Sequence, residues 1–379
     1  MHNSIVLALV VVVALAFDFT NGFHDTANSV APTIATKALS PRLAVALSAI
    51  LNLIGAFLSL KIAATVASAI VDQTHVTLAV VFAGLAGAIC WNLTTWYFTL
   101  PSSSSHALIG GVIGATFAAA GSGAVLWHGV IAKVAVPSII APVIALVVAG
   151  LATRICRGIL TAADAPARGI GMRVGQIGAS SLQSIAHGTN DAQKTMGVLT
   201  LALVANGTIA AKAPTPSWVI VVCAAAMALG TFIGGWRIIR TMGHGFTELD
   251  PVAGVAAQVS SSVAILSSSH FGLPLSTTYV ATGSVIGTGV ATKGRVVRWA
   301  LAGRVVIAWL TTLPVAALVG AAAYGVEALL GATAGTVVLS VVVAIYAGGL
   351  FAMAKRNPVT STNVNEPWSS ELETAEVNS

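Results

Sequence analysis

Apolar positions in this chain run on without the alternation of a strand. Ile5–Phe17, Ala44–Leu60, Val219–Ile233 and Val337–Leu350 are almost unbroken. Joined by short polar segments, such runs predict helices that cross or part-cross a bilayer, each full crossing taking roughly 20 apolar residues; about ten to twelve crossings or part-crossings fit the length. A β-barrel would alternate polar and apolar positions over about ten residues per strand, whereas helices satisfy their own backbone in lipid. The pattern predicts an all-α integral membrane protein. Composition agrees: of 379 residues, 56% are hydrophobic and 8% charged, with a mean hydropathy of +0.90, where a soluble domain carries about a quarter charged residues. That excludes a cytosolic enzyme and a disordered chain.

The formal charge of +6 does not point to nucleic acid. The basic residues stand in ones and twos at the ends of apolar runs, where positive-inside anchoring accounts for them. Cys90, Cys156 and Cys223 lie far apart and make neither a disulfide framework nor a metal motif. Ile5–Ala16 has the length of a signal-peptide core, and Ala14-Leu15-Ala16 reads as a cleavage site. Met1–Ser4 holds no Lys or Arg, however, and the segment that follows has a partner later in the chain, so it is expected to belong to the fold.

Two pairs of segments repeat. Asp18–Asn28 and Ser184–Lys194 are polar interruptions of apolar runs that share Gly22/Gly188 and Asp25/Asp191 in register. Leu100–Gly114 aligns without gaps to Leu273–Gly287, with seven identities in fifteen positions and two Ser/Thr exchanges; chance would give about one identity. Two related halves explain both pairs. Charge suggests their orientation. Lys37 and Arg42 follow the first crossing and the next loop, Asp72–His75, lacks Lys and Arg; in the second half Asn206–Ser217 carries only Lys212 and the next segment carries Arg237 and Arg240. Basic loops favour the cytoplasm, so the halves are expected to be an inverted-topology repeat. The boundaries expected are residues 1–156 for the first repeat, 157–172 for a cytoplasmic loop with Arg157 and Arg168, 173–353 for the second repeat, and 354–379 for a polar, acidic, disordered tail.

Acids inside a membrane are costly and are functional candidates by default. A helix broken at Gly22 or Gly188 would free carbonyls to join Asp25 or Asp191 around a cation; the alternative is structural pairing, for which Lys194 stands at i+3 from Asp191. Asp18 faces Ser184, not an acid, in the repeat. His24 and His187 are either proton carriers or hydrogen-bonding structural groups. The second pair reads as two re-entrant hairpin tips: a proline, then Ser103-Ser104-Ser105 or Ser276-Thr277-Thr278, then a Gly-containing apolar helix. Ser and Thr there are N-cap residues, and hydroxyls with free N–H groups at a helix start suit an anion. The alternative is that they satisfy the backbone of kinked helices. Neither tip carries Lys or Arg, so cations or protons at the acids would have to remove the repulsion between carboxylate and anion.

These residues resemble the signatures of the PiT family of inorganic phosphate transporters. The resemblance lies in Asn21–Asn28, His187–Lys194, Pro101–His106, Gly272–Tyr279 and Thr241–Pro251. It implies an inverted-repeat fold with broken helices and a homodimer in the plasma (inner) membrane. It implies phosphate held by Ser103, Ser104, Ser105, Ser276, Thr277, Thr278, Asn28 and Gln193, with the coupling ion or proton near Asp25, Asp191, Asn21, Asn190 and His24. Where sodium-coupled members carry Gly-Ala-Asn-Asp, this chain has Gly22-Phe-His-Asp25, which is similar to a bacterial low-affinity, proton-linked branch that also carries phosphate as a neutral divalent-metal complex. Tyr279 stands where many members have His.

The expected function is phosphate:proton symport by alternating access, with no resident cofactor. The alternatives are sodium coupling, another oxyanion, or a passive anion channel. An intramembrane hydrolase is disfavoured because neither Gly-x-Ser-x-Gly nor His-Glu-x-x-His occurs.

Overall fold

The computed structural model describes residues 4–160, 165–211 and 213–366, with backbone alone at 160 and 165–168. The helices are α1 (Ser4–Ala35), α2 (Pro41–Gly55), α3 (Lys61–Ala69), α4 (Leu78–Tyr97), α5 (Ser104–Ala120), α6 (Trp127–Val130), α7 (Val136–Leu160), α8 (Ala165–Ala205), α9 (Ser217–Ile233), α10 (Trp236–Arg240), α11 (Pro251–His270), α12 (Thr277–Ala291), α13 (Trp299–Leu330) and α14 (Ala332–Ala354). Two π-helical turns, Ile131–Ala135 and Thr241–Gly245, lead into α7 and extend α10. Among the described residues no strand forms beyond an isolated bridge between Val71 and Val125.

Among the described residues six stretches are long and apolar enough to cross a membrane alone: α1, α4, the joined α6–α7, α11, α13 and α14. A seventh is α9 with α10, bent by 62°. α2 and α5 are apolar but shorter. α8, the longest helix at 41 residues, buries polar side chains along its middle and was therefore not conspicuous as an apolar run.

The expected breaks at Gly22 and Gly188 do not occur: α1 and α8 pass through both glycines as continuous helix. These glycines serve close crossing instead. A Cβ on Gly22 would run into the Met227 carbonyl of α9, and one on Gly188 into the Asn52 carbonyl of α2. The crossing helices are the ones that break. α2 stops at Gly55, within the apolar run Ala44–Leu60, and helix restarts at Lys61 just past it; α9 stops at Ile233, and Gly234 at φ +77° turns the chain into α10. Glycine adopts that left-handed backbone without steric cost. The freed amides of Ile62 and Ala63 at the head of α3 donate to Gln193 Oε1 at 2.9 and 3.4 Å.

The two related segments pack crosswise. α1 lies on α9 and α8 on α2; α5 lies on α13 and α12 on α7. Hairpins α4–α5 and α11–α12 start and stop at aligned residues, Leu78/Pro251, Tyr97/His270 and Ser104/Thr277. Each half therefore completes the other.

The stretch expected to be an inter-repeat loop is helical in its described parts, closing α7 and opening α8. Residues 355–366, expected in a disordered tail, fold back on α10. Arg237 Nη2 donates to the carbonyls of Ala354 (3.0 Å) and Asn357 (2.7 Å), His244 Nε2 lies 3.1 Å from Asn365 Oδ1, and Val364 is buried. The donors on α10 give this polar segment partners that composition alone did not reveal. The rest of that tail, 367–379, and Lys212 lie outside the described residues.

Candidate functional site

Each hairpin tip starts with a capping hydroxyl. Ser103 Oγ accepts from the His106 amide at 3.1 Å and Ser276 Oγ from the Tyr279 amide at 3.3 Å. Pro101 and Pro274 sit in the non-helical stretch ahead of these caps, where the missing N–H costs nothing. With the cap made by the first residue, the next two hydroxyls on each tip remain for other partners. Ser104, Ser105, Thr277 and Thr278 are all buried between α1 and α8.

There they meet the acids in a regular pattern. Ser104 Oγ donates to Asp25, and its aligned residue Thr277 donates to Asp191 at 2.6 Å. The second hydroxyls cross over. Asn28 Nδ2 donates to Thr278 at 3.0 Å, and Lys194, aligned with Asn28, donates to Ser105 and to the Leu275 carbonyl at 2.8 Å. Thr278 also donates to Asp25 at 3.1 Å, and Ser104 to Asn21 Oδ1 at 2.7 Å. Both tips are thus tied to both long helices at one place.

The charges are distributed unequally. Asp191 pairs with the ammonium of Lys194 and lies 2.8 Å from His187 Nε2. Asp25 has no such cation; its ring neighbour is His24, with Nδ1 2.7 Å away. Asp25, His187 and Asp191 present three ligand atoms all within 4.8 Å of one another. Two carboxylates so close repel unless a cation or proton is shared between them. Lys194 supplies one compensating charge and leaves room for one more.

Several expected site residues hold other posts. Gln193 caps the freed amides of α3, and its amide nitrogen returns to the Thr189 carbonyl. Asn190 Nδ2 reaches Ser269 at 3.0 Å and Ser268 at 3.4 Å on α11, while the aligned His24 reaches Thr95 on α4 through Nε2 at 3.2 Å. Each anchors the outer helix of a hairpin. Asp18 is buried with Oδ1 accepting from Thr195 at 2.8 Å. The ring of Tyr279 lies behind the tips, stacked on Trp309 with centroids 4.2 Å apart and tilted against His106 at 4.9 Å. The reading of the residues missed Lys194 as a link between tips: it stood only as a partner for Asp191. Its alignment with Asn28 was the signal available.

Chemically the arrangement can accept an oxyanion. It collects hydroxyls, one amide, one ammonium and the N-terminal ends of α5 and α12, where helix dipoles favour negative charge. It is not built as a nucleophile with a base: Ser104 meets a carboxylate directly, and the imidazole of His24 bonds Asp25 and Thr95.

A model of the phosphate transporter family matches residues 21–171 and again residues 161–320. Among similar proteins is a probable low-affinity inorganic phosphate transporter of Mycobacterium tuberculosis, 54% identical over 371 residues, covering 97% of this chain and 88% of the relative. One of the same description from Bacillus subtilis is 43% identical, covering 84% of this chain and 96% of the relative. A solved structure titled as the sodium-dependent phosphate transporter superposes with a TM-score of 0.76 at 22% identity, covering 86% of this chain and 99% of the other; at that identity the likeness is one of fold.

Proposed function

Because this chain belongs to the phosphate transporter (PiT) family and is a multi-span transporter rather than an enzyme, we propose that it takes up inorganic phosphate by symport with protons. The observation that carries this reading is the tie of both hairpin tips to two acids within one buried cluster. Phosphate would draw the hydroxyls of Ser104, Thr277 and Thr278 from the acids, and that of Ser105 from Lys194, and take their hydrogen bonds. An anion could do so only after the acids lose net negative charge. The Lys194 ammonium would offset Asp191, so one added proton near Asp25 would complete the neutralisation. Binding of anion and proton are thereby linked.

The proposal includes opposite insertion of the two halves in a plasma (inner) membrane, alternating access around the cradle, and the homodimer that the resemblance implies. The crosswise packing of α1 on α9 and α8 on α2 supports the first of these, since two equivalent contacts of this kind are what a two-fold relation between the halves would give. A second reading is sodium coupling, favoured by the three ligand atoms of Asp25, His187 and Asp191. Carriage of phosphate as a neutral divalent-metal complex would use the same acids.

Uptake of labelled phosphate into proteoliposomes, with proton and sodium gradients imposed independently, tests the reading. Saturable uptake that collapses with the proton gradient and persists without sodium is expected, with competition by arsenate and not by sulfate. Uptake that requires sodium and ignores a protonophore would replace the proton in this scheme.

A further inference from the structure

On one side of the cradle lies a polar network that the site does not use. Gln176 Nε2 on α8 donates to Gln258 Oε1 on α11, and Gln258 Nε2 donates to the Ser29 carbonyl on α1 at 2.5 Å. Thr33 donates to Gln258 Oε1 at 3.1 Å, and Ser262 donates to Gln183 Oε1 at 2.7 Å. The three glutamines are at most 1% exposed. The network is incompletely satisfied: Gln176 Oε1 and Gln183 Nε2 have no hydrogen-bond partner. A half-satisfied buried amide network is less favourable than apolar packing.

The molecule contains its own control. By the repeat alignment, Gln176, Gln183 and Thr33 correspond to Val10, Phe17 and Leu199, and Gln258 and Ser262 to Leu85 and Ile89. These counterparts are equally buried and form the matching three-helix junction of α1, α8 and α4 on the other side of the cradle. The same crossing is therefore sealed once by hydrocarbon and once by amides. Helix packing does not require the amides.

Their position gives direction. Thr33 lies eight residues beyond Asp25 on α1 and Gln183 eight residues before Asp191 on α8, about 12 Å along each helix. Past them come Lys37, Arg42 and Arg173, the last bonded through Nε to the Ala38 carbonyl at 3.0 Å. Positive-inside bias assigns this basic end to the cytoplasm.

We infer that phosphate leaves the cradle toward the cytoplasm between α1, α8 and α11, and that the Gln176–Gln258–Gln183 network is the closed gate of that path. The inference rests on the phosphate-transport reading. When α11 moves off α1 and α8, apolar faces would be costly to wet, whereas separated amides exchange their partners for water at small net cost. Being neutral, they can donate to a passing anion without holding it as a Lys or Arg would.

The test uses single cysteines in a chain whose Cys90, Cys156 and Cys223 are replaced by serine, in oriented membrane vesicles turning over phosphate. Thr33→Cys and Ser262→Cys should react with a membrane-impermeant thiosulfonate from the cytoplasmic face at least tenfold faster than Leu199→Cys and Ile89→Cys. Inert cysteines at 33 and 262, or reaction from the outer face alone, would overturn the gate. Uptake of labelled phosphate in the same vesicles reads the underlying function separately, because labelling needs no assumption about the anion carried. As a second arm, Gln176→Val with Gln258→Leu imports the first-copy residues. Thermal stability that holds or rises while uptake falls at least tenfold is expected; wild-type uptake by that variant would show that the amides gate nothing.

Discussion

Asp25 and Asp191 are aligned and equally buried, yet they are differently compensated, and this separates the roles that substitution should expose. Asp25 is held by hydroxyls and a histidine, so Asp25→Asn should abolish proton-coupled uptake while the protein inserts and folds, as checked by uptake together with size-exclusion elution in detergent. Asp191 is one member of a buried ion pair. Removing Lys194 alone strands its charge, a loss on the order of 3–5 kcal/mol. Lys194→Gln should therefore lower the melting temperature in a thermal-shift assay, and adding Asp191→Asn should recover part of that loss, the non-additivity expected of touching groups. For the anion itself, Ser104→Ala with Thr277→Ala removes two hydroxyl donors. Hydrogen bonds to charged groups contribute about 1.5–3 kcal/mol each, so the apparent phosphate constant should rise roughly tenfold or more. Unchanged uptake kinetics in that double variant would move the anion elsewhere.

Among the helices, the controlling feature is contact without side chains. α1 crosses α9 and α8 crosses α2 at paired glycines, Gly22 with Gly230 and Gly188 with Gly55 facing the neighbouring backbone. Small residues let backbones approach where no hydrophobic drive operates between helices in lipid. A methyl group at Gly230 would meet the Phe19 carbonyl, whereas one at Gly123 would meet nothing within 4 Å. Gly230→Ala should thus cost about 1–3 kcal/mol by overpacking, seen as a lower melting temperature and folded yield, and Gly123→Ala should leave both unchanged. The polar interruptions of α1 and α8 were legible as special in the sequence, but not as uninterrupted helix. Their carboxylates bond the starts of α5 and α12, and Gln193 caps the head of α3, where the neighbouring chain does break.

At the scale of the whole molecule, two related halves build one cradle from mixed parts. A tip from one half bonds a long helix of the other through Asn28–Thr278 and Lys194–Ser105. In the proposed site both tips would share the anion, so Ser105→Ala and Thr278→Ala should each raise the apparent phosphate constant by similar factors. A loss confined to one tip would assign the anion to that tip. The halves nevertheless differ in what seals them, amides on one side and hydrocarbon on the other, and in Lys194 standing where its copy has Asn28. Under the proposed alternating access the two sides open in turn, and identical seals would not distinguish them.

Length of apolar runs, the internal repeat and the Ser/Thr caps are local or pairwise properties of the chain, so the amino-acid sequence by itself determined the helical membrane fold and the residues of the tips and acids. Which helices stay whole, where Gln193 and Lys194 point, and which tip meets which acid depend on crossings between segments 79 to 253 residues apart. Only the packed tertiary structure decided these, because a glycine that permits a close crossing and one that breaks a helix read alike until the neighbouring backbone is in place.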